Sequence, residues 1–148
     1  MNEKLLASAQ SLVQPSATAA SEFNEKQASI VSTVVQRLKS RPDIREIVGE
    51  HNLPLMEDNA HNFASFMYSQ FRKFEPEALV QTVLWAIGVY RARGFDRAFW
   101  PAHLRAFMHA IEEHLSAASL HETLPFYEWI QVNLPLAFES VEASGDQG

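Results

Sequence analysis

Trp85-Ala-Ile-Gly-Val-Tyr-Arg-Ala-Arg-Gly94-Phe-Asp-Arg-Ala-Phe-Trp100 holds the end of one helical pattern and the start of another. Upstream of it, Leu79, Val83, Ile87 and Tyr90 recur at i, i+4, i+8 and i+11, and Val80 with Leu84 widens the stripe. That spacing places the apolar side chains on one face of a helix. Glu75-Pro76-Glu77 marks its start, because proline needs no N–H in a first turn and acidic groups suit the positive helix end. Gly94 is read as a left-handed cap. Downstream, Asp96 is a candidate N-cap, with Pro101 as an alternative mark of the first turn, and Phe99, His103, Phe107, Ile111 and Leu115 form the seam of the next helix.

The same reading extends in both directions. Leu5, Leu6, Ala9, Leu12 and Val13 form a short helical stripe, so residues 1–16 are expected to be an N-terminal helix or extension. Phe23, Gln27, Ile30, Val31, Val34, Val35 and Leu38 predict a helix over residues 17–40, stopped by Arg41-Pro42. One or two turns follow, closed by Gly49. Residues 55–74 put Phe63, Met67, Phe71 and Phe74 on one face with Phe66 beside them. The last helix is expected from about His121 to Ser140, kinked at Pro135, and residues 141–148 are expected to form a disordered tail. No alternating strand pattern bounded by hairpin turns occurs. The predicted fold class is all-α, with six or seven helices forming one domain over residues 17–140.

Composition narrows the function. A net charge of −6 with no basic stripe disfavours nucleic acid, whose phosphates require clustered Lys and Arg. The absence of cysteine removes disulfides, thiolate metal sites, thiol nucleophiles and thioether-linked pigments. No segment approaches the roughly 20 apolar residues of a membrane span, and the N-terminus lacks a signal-peptide core, so the expected location is cytoplasmic.

The stretch from Trp85 to Trp100 resembles the F to G region of sensor-type globins, where Ile-Gly, a histidine four residues before a glycine and an aromatic-led helix follow one another; here the residue four before the glycine is Tyr90. The similarity covers residues 20–140 as a pattern of helices and has residue-level content at about 85–107. Trp85 and Arg93-Gly94 match the heme-free sensor globins at the N-terminus of stressosome proteins of the RsbR type. Tyr90 stands where heme-binding globin-coupled sensors carry the proximal histidine. The resemblance therefore implies a globin-like, heme-free sensory domain that pairs with a copy of itself through its last two helices, residues 97–140 here. It also implies a heme-binding alternative in which Tyr90 or His103 supplies the axial ligand.

Six histidines invite a metal site. His109 with Glu112 and Glu113 shares a helical face, but a di-iron bundle needs further ligands from other helices, and residues 76–94 contain no histidine. The trio falls off the Phe99–Phe107–Ile111 seam and reads as a solvated face. His103, on the seam, reads as a core group whose ring finds hydrogen-bond partners, or else as a ligand-facing or pH-responsive group. His61 lies where a distal pocket group would sit in a globin or else is exposed, and His51 is expected on the surface. Nucleophile elbows, phosphate-binding glycine loops and His-Glu-x-x-His motifs are missing.

The reading that results is a non-enzymatic sensory or regulatory domain without a cofactor, acting through a protein partner as a homodimer. Phe63, Phe66, Met67, Trp85, Tyr90, His103 and Phe107 are the candidate lining for an apolar ligand, and Trp100, Leu104 and Trp129 the candidate dimer seam. A helical adaptor or chaperone that holds a partner helix in a groove is the alternative from another class.

Overall fold

Serine side chains start the two longest helices, and each start is braced by a carboxylate from the other. The computed structural model describes residues 2–147, and side chains as far as residue 144. Its helices are α1 (Asn2–Ala9), α2 (Ala17–Lys39), α3 (Ile44–Val48), α4 (Leu53–Arg72), α5 (Pro76–Ala92), α6 (Phe99–His114) and α7 (Ala117–Gln147), with no strand among the described residues. The all-α architecture expected from the helical stripes is the one observed.

Ser16 is extended and its Oγ accepts the Ala19 N–H at 3.1 Å, satisfying one of the orphan donors of the first turn of α2. Ser116 does the same for α7, accepting from the Ser119 N–H at 3.2 Å. Glu122 accepts from the Ser16 N–H (2.8 Å) and Oγ (3.0 Å). Glu22 accepts from the Ser116 N–H, from Ser116 Oγ (3.0 Å) and from Ser119 Oγ (2.8 Å). These donors hold the Glu22 carboxyl below its ordinary value, the backbone N–H of Ser116 contributing most.

The central helix, α2, packs across α4 and α6 and also meets α7, while α6 lies against α7. Phe23 of α2 meets Phe71 of α4 edge to face, with ring centroids 5.0 Å apart. One continuous cluster of buried side chains runs from Leu5 to Ala137. The N-terminal helix is therefore part of the main body: Leu5 and Ala9 are buried, and α1 packs on α5 and α7.

Two connections fix the end of α5 relative to α3. Gly49 and Gly94 both have left-handed backbone (φ +97° and +100°). Beside them, Asn52 Nδ2 donates to the carbonyls of Val48 (2.7 Å) and Arg93 (2.9 Å), and the Asp96 N–H donates to Ile47 (2.8 Å). Asp96 caps the turn before α6 rather than α6 itself, its Oδ1 accepting from the Ala98 N–H at 2.8 Å. Pro101 falls in the first turn of α6.

Two boundaries of α7 differ from expectation. It begins at Ala117 rather than near His121, because its cap is Ser116. It also continues as helix to Gln147, through both Pro125 and Pro135, where a tail without order was expected from residue 141; Gly148 lies outside the described residues. The prolines deprive two carbonyls of helical partners. Burial of Phe126, Tyr127, Ile130, Leu134 and Ala137 holds the helix regardless. Beyond Ser140, Glu142 pairs with Arg97, and Val141 faces Gly88, where an added Cβ would come within 3.7 Å of it.

Candidate ligand cavity

Helix α5 takes its close contacts from α1 and α7, and on its other side a cavity of about 270 Å³ opens toward α4, α6 and α7. The walls are Phe63 and Phe66 from α4, Val83, Ala86, Ile87 and Tyr90 from α5, Trp100 and Leu104 from α6, and Ile130 and Leu134 from α7. Polar groups enter at Asn59, Asn62, Thr82 and His103, and no Lys, Arg, Asp or Glu lines it. Trp85, 64% exposed, stands at the rim.

His103 is the chemical centre of this wall. It is wholly buried within van der Waals reach of four aromatic rings: Phe63 (4.7 Å between centroids), Phe107 (4.9 Å), Phe99 (5.2 Å) and Trp100 (5.6 Å). Neither ring nitrogen has a hydrogen-bond partner among the described residues. The core-histidine expectation is thus half right: the ring is in the core, but it is not satisfied. Burial pushes its pKa down to about 3, since an imidazolium there would lose its hydration without a counter-charge. The ring is neutral at physiological pH and presents one N–H donor and one lone-pair acceptor. Asn59, 5% exposed, adds a second orphan, its Nδ2. Unmade hydrogen bonds of this kind cost about 1–3 kcal/mol per group.

Of the residues predicted to line a ligand site, Phe63, Phe66, Trp85, Tyr90 and His103 meet around this one cavity. Met67 and Phe107 do not reach it. Both are fully buried, and Phe107 packs behind the wall residues Phe63 and His103 and stacks on Tyr127 with centroids 6.0 Å apart. Tyr90 packs edge-on against Phe95 (5.1 Å), and burial, with Asp58 adding to it, raises its pKa and keeps the phenol protonated.

Trp100 and Leu104, offered as dimer-seam residues, are buried inside the single chain and line the cavity instead. Trp129 is also buried, and its indole N–H donates to Ser8 Oγ at 2.9 Å, tying α7 to α1. All three are used up by intramolecular packing. His109, Glu112 and Glu113 are exposed, as are His51 and His61. No group of three His, Asp or Glu side chains placed to hold a metal occurs among the described residues, and no described helix is long and apolar enough to cross a membrane.

Asn59 was missed by the sequence reading. Its signal was available: it precedes Phe63 by four residues, so it is a polar group on the aromatic stripe of α4.

No protein-family model matches the chain, and no curated protein and no solved structure matches it.

Proposed function

We propose that this chain is a heme-free, globin-like regulatory domain that binds a small, mostly apolar molecule between α4, α5, α6 and α7 and signals its occupancy to a protein partner in the cytoplasm, without catalysis. The observation that carries the reading is the cavity of about 270 Å³ with His103 buried and unpartnered in its wall. Ligand sites have this character, largely apolar with a few convergent polar groups. The helical resemblance to sensor globins supports the same reading, because globins pack their helices around one internal pocket.

Size and protonation weigh against heme. A porphyrin macrocycle needs more room than this cavity has, and ligation by Tyr90 would require a phenolate where burial favours the protonated phenol. The neutral His103 ring lines the cavity, so it is the room beside it, rather than its protonation, that weighs against a porphyrin there.

Signalling would run through α5. This helix has no charged residue from Ala78 to Tyr90, exposes Trp85, and packs closely only on α1 and α7. A ligand that fills the space behind α5 would act by binding one placement of this helix better than another. A partner or a second copy would read that position at the surface around Trp85.

The test is a thermal-shift and tryptophan-emission titration with naphthalene, on the native chain and on Ala86→Phe, which fills the cavity from α5. At about 100 times the dissociation constant, binding stabilises by roughly 2.7 kcal/mol, or about 5–10 °C in a chain of this size. The filled variant is expected to keep its fold and lose the shift. An equal shift in both proteins, or none in either, refutes the proposal.

A further inference from the structure

We infer that the cavity selects a neutral, ring-shaped molecule of about ten non-hydrogen atoms that carries one group able both to donate and to accept a hydrogen bond, such as a phenolic hydroxyl. This inference rests on the ligand-binding reading and adds the class of ligand.

Three observations carry it. The first is size: about 270 Å³ equals some nine water volumes, at roughly 30 Å³ each, and falls just under the usual range for drug-sized ligands. The second is shape and surface, for aromatic rings from three helices (Phe63, Phe66, Tyr90 and Trp100) stand in the wall, and flat rings pack on such edges and faces with little rotamer loss.

The third is the match of hydrogen-bonding groups. Asn59 Nδ2 offers a donor, and the neutral His103 ring offers one donor and one acceptor, all three without partners among the described residues. A hydroxyl suits this set, accepting a hydrogen bond from Asn59 Nδ2 and donating its own to the unprotonated imidazole nitrogen of His103. A carboxylate does not. It only accepts, and it would bring a negative charge into a cavity whose lining has no cation to pair it. A bare hydrocarbon fits the walls but leaves both orphans unmet.

The experiment compares naphthalene, 2-naphthol and 2-naphthoate, three probes of one ring system, by calorimetry or fluorescence on the full chain. On the native protein 2-naphthol is expected to bind about tenfold tighter than naphthalene, and 2-naphthoate weaker than either. In His103→Phe, and separately in Asn59→Leu, the ratio of 2-naphthol to naphthalene affinity is expected to fall to about twofold or less. The imidazole ¹⁵N shifts of His103 should also move with 2-naphthol and stay with naphthalene, a signature that a merely structural histidine would not give. Equal binding of naphthalene and 2-naphthol by the native chain overturns this inference while leaving the ligand-binding reading intact. So does tightest binding of 2-naphthoate, or a preference for 2-naphthol that survives in both variants. Failure of all three probes to bind brings down the ligand-binding reading itself.

Discussion

Replacing Glu22 by alanine removes one half of the brace between the two long helices. Its carboxylate takes three hydrogen bonds, from the Ser116 N–H, Ser116 Oγ and Ser119 Oγ, across 94 to 97 residues of sequence. Fully buried bonds to a charged group are worth about 1.5–3 kcal/mol each, but Glu22 is partly exposed, and water replaces part of what is lost. Weakening of the α7 cap adds roughly what a cap is worth, about 1 kcal/mol. The expected total is about 1–2 kcal/mol, read as a fall of roughly 3–6 °C in Tm. The pH dependence gives a sharper check. The folded-state pKa of Glu22 lies below its ordinary value of 4.5, so its contribution is present in full above about pH 4.5 and is lost as the pH falls through the folded value. In urea melts from pH 6 to pH 3, the difference between native protein and Glu22→Gln should therefore shrink as the pH falls. A difference independent of pH, or a loss below about 0.3 kcal/mol for Glu22→Ala, refutes the reasoning.

Two further perturbations follow from single side chains. Asn52→Ala leaves the carbonyls of Val48 and Arg93 without their shared donor and frees the α3 end from the α5 end; a loss of about 1–2 kcal/mol by denaturant melting is expected, with faster hydrogen exchange at the Asp96 amide. Tyr127→Phe deletes a fully buried hydroxyl that has no partner among the described residues, so stability should rise by about 1–2 kcal/mol, and a loss of stability would show that the hydroxyl is satisfied in solution.

The helices were legible because each carries its own stripe. From Leu79 to Tyr90 and from Phe99 to Leu115, local spacing and the punctuation at Gly94 suffice to predict α5 and α6. What failed was whatever depends on distant partners. The start of α7 at Ser116 is stabilised by Glu22, a contact invisible to any local window. Its extension past residue 141 depends on Arg97 and Gly88 of other elements. Trp100, Leu104 and Trp129 show the same limit, since an apolar stripe states that a side chain needs a cover but not whether its own chain supplies it. For the cavity, aromatic residues on α4, α5 and α6 were identified from their types. Which of them border empty space, and which, like Phe107, are packed away from it, depends on how the helices pack on one another, and α5 packs closely on α1 and α7.

Tyr127 and His103 form an internal control for the functional reading. Both are wholly buried, both carry polar atoms without partners among the described residues, and burial disfavours the charged form of each, raising one pKa and lowering the other. Tyr127 lines no part of the cavity, while His103 does. If unsatisfied polar atoms are only tolerated defects, phenylalanine at either position should raise stability by a similar amount, about 1–2 kcal/mol, and change nothing else. If the orphans in the cavity wall await a ligand, the two substitutions part company: Tyr127→Phe stabilises and leaves naphthol binding as it was, whereas His103→Phe stabilises the empty protein and abolishes the preference for the hydroxyl. Stability gained at the cost of recognition is the mark of a site, because the strain of an unpaired group in the free protein is what a matching ligand relieves.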